Sequence, residues 1–191
     1  MHDTTATDPR VIRTRQLLYG AFVELLGEKR FEDISVADVT KRSTLNRATF
    51  YKHFTDKFAL LESMIGDDFQ AVLDARMTGA MPCRDGLRRM ILAVCDFFVK
   101  LRRGCDAHRK QFQPIAEART REMVGDFLIQ AMAKHEVTGR DAALRATMAS
   151  WAICGAALDW CQHQEGTVEE LAEAAIPKVD FVLWGAGSCP G

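Results

Sequence analysis

Arg47, Ala48, Thr49, Tyr51, Lys52 and His53 fall within seven consecutive residues, and their types suit the edges and phosphates of a nucleic-acid duplex. An arginine can donate two parallel hydrogen bonds to guanine O6 and N7, and a threonine methyl can meet the methyl of thymine. Ala48 is small enough to let a helix approach the bases closely. Tyr51 and His53 can donate to phosphate oxygens, and Lys52 can place a positive charge beside them. Lys57 follows at the expected start of a helix, where free amides and the helix dipole already favour an anion. Between Ile34 and Phe58 five lysines and arginines stand against two aspartates, in a chain whose formal net charge is −1. Positive charge is therefore placed locally.

Such side chains share a surface only if the backbone beneath them is rigid. Ser35 with Asp38 makes the pattern of a capping box, and Ile34 with Val39 that of a hydrophobic staple, which predicts a helix from Val36 to about Arg42. Asn46, flanked by Leu45 and Phe50 at the same staple spacing, starts a second helix at Arg47 that ends near His53. Only Ser43, Thr44 and Leu45 separate the two, the spacing of a helix-turn-helix. Leu45, Phe50 and Phe54 are the expected inward residues. Thr55 is read as the cap of a long helix from Asp56 towards Met77, carrying Leu61, Met64, Ile65, Phe69, Val72 and Leu73, with Gly79 and Pro82 breaking it. Upstream, Asp8 and Pro9 open a supporting helix that keeps helical spacing from Ile12 to Leu26 and ends at Gly27. Arg10, Arg13 and Arg15 on it either meet flanking phosphates or form a solvated helix end.

TFYKHFTDKFALL, preceded by SVADVTKRSTLN, resembles the DNA-binding domain of the TetR family of bacterial transcriptional regulators. Thr49, Phe50, Tyr51, His53, Phe54, Lys57 and Leu60 match that family's most recognisable positions, over roughly residues 10 to 65. The resemblance implies that Arg47, Ala48 and Thr49 lie near bases and that Tyr51, His53 and Lys57 contact phosphate; with Ser35 and Lys52 these make the expected phosphate set. Two positions depart from the family. The turn has Ser43-Thr44 where Ala-Gly is usual, so a residue expected in a left-handed conformation is not glycine. Ala37 stands where members that read bases from the preceding helix often have arginine.

Beyond this region the pattern stays helical. Asp85 to Arg103 carries Leu87, Met90, Ile91, Val94, Cys95, Phe98 and Leu101 and meets Gly104 as a C-terminal cap. Asp106 opens another helix, interrupted or restarted at Pro114, that continues to about His135. Phe98, Phe112, Met123 and Phe127 either line an adaptable effector pocket, which the resemblance implies, or are plain core. The stretch from Asp141 to Gln164 is apolar on nearly every side between Met148 and Cys161, which predicts burial all round, and the missing cover can come from a second subunit. Leu144, Trp151 and Leu158 recur every seven residues, and Gly155 permits close approach. Gly166 stops that helix, and Thr167 with Glu170 caps a last one carrying Val179 and Val182. Similarity to the family places these two helices in a four-helix dimer interface containing Leu144, Trp151, Gly155, Leu158, Val179 and Val182.

The reading is thus all-α: a helix-turn-helix DNA-binding domain at residues 8–55, an effector-binding and dimerisation domain at 56–185, and flexible termini at 1–7 and 186–191. The partners expected are double-stranded DNA with a palindromic operator, a second copy of the chain, and an unknown small-molecule effector, with no membrane. Six cysteines without a C-x-x-C pair do not form a disulfide scaffold, and no leader or membrane-spanning run is evident, so a cytoplasmic location is expected. No catalytic constellation, cofactor motif or metal site stands out, and alternate residues Cys161, His163 and Glu165 point apart on a helix. A thiol switch at Cys105, beside Arg102 and Arg103, is one alternative; an enzyme or carrier with a vestigial helix-turn-helix is another.

Overall fold

A computed structural model describes residues 8–79, 83–103 and 106–185. The expectations for the two termini, Pro82, Gly104 and Cys105 concern residues outside these. Among the described residues the chain forms α1 (Pro9–Glu28), α2 (Val36–Arg42), α3 (Arg47–His53), α4 (Lys57–Arg76), α5 (Cys83–Arg103), α6 (Asp106–Ala133), α7 (Gly139–His163) and α8 (Val168–Trp184), with one 3-10 turn at Phe31–Asp33 and no strand. It divides into two compact units, up to Met64 and from Ile65 onward, so the division falls inside α4.

The first unit is built from short helices that polar caps hold in place. The Asp8 carboxylate accepts from the Arg10 amide, with Pro9 in the first helical turn where its missing N–H costs nothing. The capping box of α2 is complete: the Ser35 hydroxyl accepts from the Asp38 amide while the Asp38 carboxylate accepts from the Ser35 amide. Asn46 Oδ1 accepts from the Thr49 amide at the start of α3. A cap of this kind contributes about 1 kcal/mol, a large share for helices only seven residues long that cannot sustain themselves by propensity. Leu18, Phe22, Leu25, Phe31, Ile34, Val39, Phe50, Phe54 and Leu60 are the buried apolar residues on which they rest, whereas Leu45 is only half-buried. Thr44, in the turn, has φ 57°, the left-handed conformation that the family's glycine would adopt freely.

One expected cap is corrected. Asp56, not Thr55, starts α4: its carboxylate accepts from the amides of Phe58 and Ala59 and its carbonyl from Leu60. A carboxylate at the positive helix end is favoured over a neutral hydroxyl.

In the second unit α7 packs on α5, α6 and α8. Its inner face is small: Ala142, Ala146, Ala149, Ser150 and Ala157 are buried and let neighbouring helices come close. Larger side chains fill the space around it, including Met90, Phe98, Val124, Met132, Ile153 and Leu183, and Phe69 meets Phe97 edge-on at 5.3 Å. α6 runs without a break through Pro114, and α8 through Pro177. Both prolines lie on exposed faces, where a carbonyl freed from the ladder can turn to water. The helix α7 ends at Gln164, left-handed at φ 55°, before Gly166 is reached.

The expectation that α7 is buried all round does not hold within one chain. Leu144 is 57% exposed and Trp151 58%, with Met148 and Gly155 on the same open face. No helix among the described residues is long and apolar enough to cross a membrane.

Candidate nucleic-acid interface

Burial of Phe50 and Phe54 sets which way α3 faces, because on a helix of seven residues the remaining positions must turn outward. Arg47, Ala48, Tyr51 and Lys52 are exposed, and Thr49 and His53 lie at the edge of the outer face. Among the described residues neither Arg47 nor Lys52 has an ion-pair partner, and the Tyr51 hydroxyl has no hydrogen bond. The Tyr51 ring is braced edge-on against Phe50 at 5.5 Å. The Thr49 hydroxyl donates to Asn46 Oδ1 at 2.9 Å, which leaves its methyl group as the part free to meet a base.

His53 has its pKa lowered, first by burial and then by the positive charges of Arg15 and Lys52. Its imidazole is therefore neutral at pH 7 and offers a phosphate a single N–H rather than a charge.

Two members of the expected phosphate set are committed inside the protein. Lys57 Nζ donates to the carbonyls of Phe31, Glu32 and Ile34 at 2.8, 2.9 and 2.8 Å, and sits 4.6 Å from the centre of the Phe31 ring. All three of its N–H groups are used there, closing the 3-10 turn against the start of α4. Ser35 donates its hydroxyl and its amide to the Asp38 carboxylate, at 2.7 and 2.8 Å, so both donors belong to the cap. The reason is the same in both cases: the residue type and position fit a phosphate, but unsatisfied backbone or carboxylate acceptors lie closer.

The basic surface is correspondingly smaller than its composition implies. Arg42 pairs with Glu24 and Glu28 of α1 at 3.2 and 2.7 Å, and Arg15 donates to Tyr19 and Ser63 while lying over the Phe54 ring at 5.6 Å. Arg10, Arg13, Lys41, Arg47 and Lys52 remain exposed. Asp38 also takes an ion pair from Lys29 at 3.1 Å. No residue spacing in the sequence reveals that Lys57 and Arg42 are structural; only the tertiary arrangement does.

Of the expected effector residues, Phe98 lines a described cavity. This cavity, of about 200 Å³ in the second unit, is lined by Phe98, Leu101 and Arg102 of α5, Gln113 of α6, and Leu158, Cys161 and Gln162 of α7. Phe112, beside Gln113, and Met123 and Phe127, further along α6, are not among its lining residues; Met123 Sδ comes close to Gly66 instead. Burial pushes the Cys95 and Cys154 thiols up to about 12 and raises Cys161 as well, so these thiols stay protonated and unreactive at neutral pH.

On the α7–α8 surface, Leu144, Trp151 and Gly155 are exposed, while Leu158 and Val182 are half-buried. Arg121 stacks over the Trp151 ring at 3.8 Å. Val179 is corrected: at 2% exposure it belongs to the core, whereas Phe181 on α8 is 65% exposed.

Residues 18–64 match the family described as bacterial regulatory proteins, tetR family, a span that ends where the first compact unit ends. The chain is 38% identical over 76 residues to the uncharacterized HTH-type transcriptional regulator YxbF of Bacillus subtilis, a match covering 39% of this chain but only 20% of that protein's length. A crystal structure from Pseudomonas aeruginosa PAO1, described as that of a transcriptional regulator, overlays with a TM-score of 0.50 at 18% identity, covering 90% of this chain and 91% of that one. The FadR repressor of Thermus thermophilus, solved with lauroyl-CoA, overlays with a TM-score of 0.49 at 15% identity, covering 93% and 97%. Residues 18–64 of the chain thus match the tetR family of bacterial regulatory proteins.

Proposed function

We propose that this chain is a homodimeric, ligand-responsive transcriptional regulator that reads a palindromic operator with α3 and releases it when a small molecule binds the second unit. The observation that carries the reading is the outer face of α3: Arg47, Ala48, Tyr51 and Lys52 are exposed, and Arg47, Tyr51 and Lys52 have no polar partner within the described residues, on a helix fixed by an Asn46 cap. Arg47, Ala48 and Thr49 take the base-contacting role. Tyr51, Lys52 and His53 take the phosphate role, with Arg10 and Arg13 of α1 available to flanking phosphates.

The exposed apolar row of α7, with Phe181 and Val182 of α8, supports pairing with a second copy. A contiguous face of this kind is costly to leave in water. A two-fold axis then implies two half-sites about 34–36 Å apart or a multiple of that. The effector acts by binding more tightly to the arrangement in which the two α3 helices no longer fit successive major grooves, and it can shift the equilibrium only by that difference in affinity.

The test is selection of random duplex DNA by the purified protein, followed by titration of the selected site. A two-fold-symmetric sequence should emerge. Arg47→Ala should weaken it by about 1–3 kcal/mol and relax preference at one base position in each half, whereas Lys52→Ala should weaken all sequences alike and lower the salt slope by about one per site. No enrichment at low salt, with and without cell extract as a source of effector, would sink the reading. The thiol-switch alternative gains nothing from Cys95, Cys154 or Cys161, which burial keeps protonated.

A further inference from the structure

The cavity between α5, α6 and α7 has a divided lining. Phe98, Leu101, Leu158 and the thiol of Cys161 give it an apolar wall, and Arg102, Gln113 and Gln162 supply polar groups. Arg102, exposed like Arg140, lacks the partner that most arginines of the second unit have. Arg76 pairs with Asp96, Arg88 with Glu173, Arg89 with Asp85, Arg119 with Glu122 and Arg145 with Asp141, and Arg121 lies over Trp151. Arg102 has no carboxylate within ion-pair distance among the described residues, yet it lines the cavity. The Gln113 amide is fixed by donating to Glu117 at 2.8 Å, so it is held in one orientation beside the cavity. At about 200 Å³ the space is smaller than the ~300–1,000 Å³ of sites that take drug-sized ligands.

We propose that this cavity takes a small organic anion, an aromatic or alicyclic carboxylate, whose ring packs on Phe98 and Leu158 and whose carboxylate is held by the Arg102 guanidinium. The proposal rests on the ligand-responsive reading above and names the chemical class of its effector. A guanidinium presents two parallel donors that match the two oxygens of a carboxylate, an arrangement no neutral group reproduces. The protonated Cys161 thiol behaves as an apolar wall and does not compete for the guanidinium. A space of this volume fits a single ring.

The experiment is isothermal titration calorimetry on the full chain with benzoate, salicylate and cyclohexanecarboxylate, each set against a neutral or cationic counterpart: benzamide, benzyl alcohol and benzylamine. At least one carboxylate should bind, and should bind at least about tenfold more tightly than its neutral counterpart. Arg102→Gln should bring the carboxylate to the affinity of the amide while leaving the circular dichroism unchanged. Leu101→Trp, which intrudes on the cavity without touching the charge, should weaken both. Benzamide binding as tightly as benzoate, Arg102→Gln leaving benzoate affinity unchanged, or no carboxylate binding more tightly than about 10 mM would each overturn the proposal. Operator affinity measured in the same preparations separates it from the reading beneath it. Operator binding without carboxylate binding defeats the cavity assignment alone. Arg102-dependent carboxylate binding that leaves operator affinity unchanged upholds the cavity site and defeats the effector mechanism.

Discussion

Polar side chains do opposite work in the two units. Around α2 and α3 they are the fasteners: Lys57 closes three carbonyls, Asp38 and Asn46 hold helix starts, and Arg42 clamps α2 to two glutamates of α1. In the second unit the helices are long, their packing is apolar, and the one buried side-chain polar atom without a partner among the described residues is Thr120 Oγ1 on α6. Helices of seven residues expose most of their backbone ends and bury little, so their stability must come from caps and staples. Helices of 17 to 28 residues bury a continuous face and have little need of them. The same contrast separates the faces left open: polar on α3, apolar on α7. Deleting a fastening polar group should therefore be destabilising in the first unit, and deleting the unsatisfied buried one stabilising in the second.

The largest effect is expected at Lys57. Lys57→Met keeps the aliphatic stem and the contact with Phe31 but leaves three carbonyls without their donor, at a cost of about 2–3 kcal/mol. Both tyrosines of the chain, Tyr19 and Tyr51, lie in the first unit and all three tryptophans, Trp151, Trp160 and Trp184, in the second. Denaturation followed by tyrosine signal should shift to lower urea while the tryptophan transition stays where it is. Loss of DNA affinity with both transitions unmoved would return Lys57 to the phosphate set and erase the contrast at its strongest point.

At Thr120 the sign should reverse. The side chain is fully buried and its hydroxyl is unsatisfied, so Thr120→Val removes a desolvated group at nearly constant volume and should add about 1 kcal/mol to the tryptophan-detected transition. A loss of that size instead would mean that a bound molecule or a water completes the hydroxyl in solution.

A smaller gain is expected in the turn between α2 and α3. Thr44 is β-branched and left-handed, a conformation disfavoured by about 1–2 kcal/mol for a side chain of this kind. Thr44→Gly relieves it but loosens the unfolded chain, leaving a net gain of about 0.5–1 kcal/mol in the tyrosine-detected transition. No change, or a loss, would show that the threonine makes up the strain by contacts of its own.

These signs also explain what could be read from the chain in advance. Ser35, Asn46 and Thr167 announce their helices because a cap is a local event between residues three apart, and all three stand at the helix starts expected of them. The outer row of α3 followed from the inward placement of Phe50 and Phe54. The fates of Lys57 and Arg42 were not legible, since their partners lie 23 to 26 and 14 to 18 residues away, beyond any local pattern. Pro114 misled for a different reason: a proline breaks a helix only when the surroundings cannot take the freed carbonyl, and exposure is a tertiary property. Val179 and Phe181, two residues apart on α8, show the same limit, because both are apolar and only packing decides which one faces in.

The subtlest consequence concerns acid. The Asp38 carboxyl lies at about 2, held down by the hydrogen bonds from Ser35, side chain first and then amide, and by Lys29. Its ordinary value is about 3.9, so the folded unit prefers the ionised form more strongly than the unfolded chain does. That preference contributes stability that is fully present above about pH 4 and drains away as the pH falls towards 2. Asp38 is partly exposed, so solvent screening keeps the effect small. Asp38→Asn retains a side chain that can accept from the Ser35 amide but cannot titrate. The tyrosine-detected stability of wild type should exceed that of the variant at pH 7, and the two should converge between pH 4 and pH 2, while the tryptophan-detected transition shows no difference between them. A gap that stays constant across that range would mean the carboxylate's charge plays no part in holding α2, and that the cap works through hydrogen-bond geometry alone.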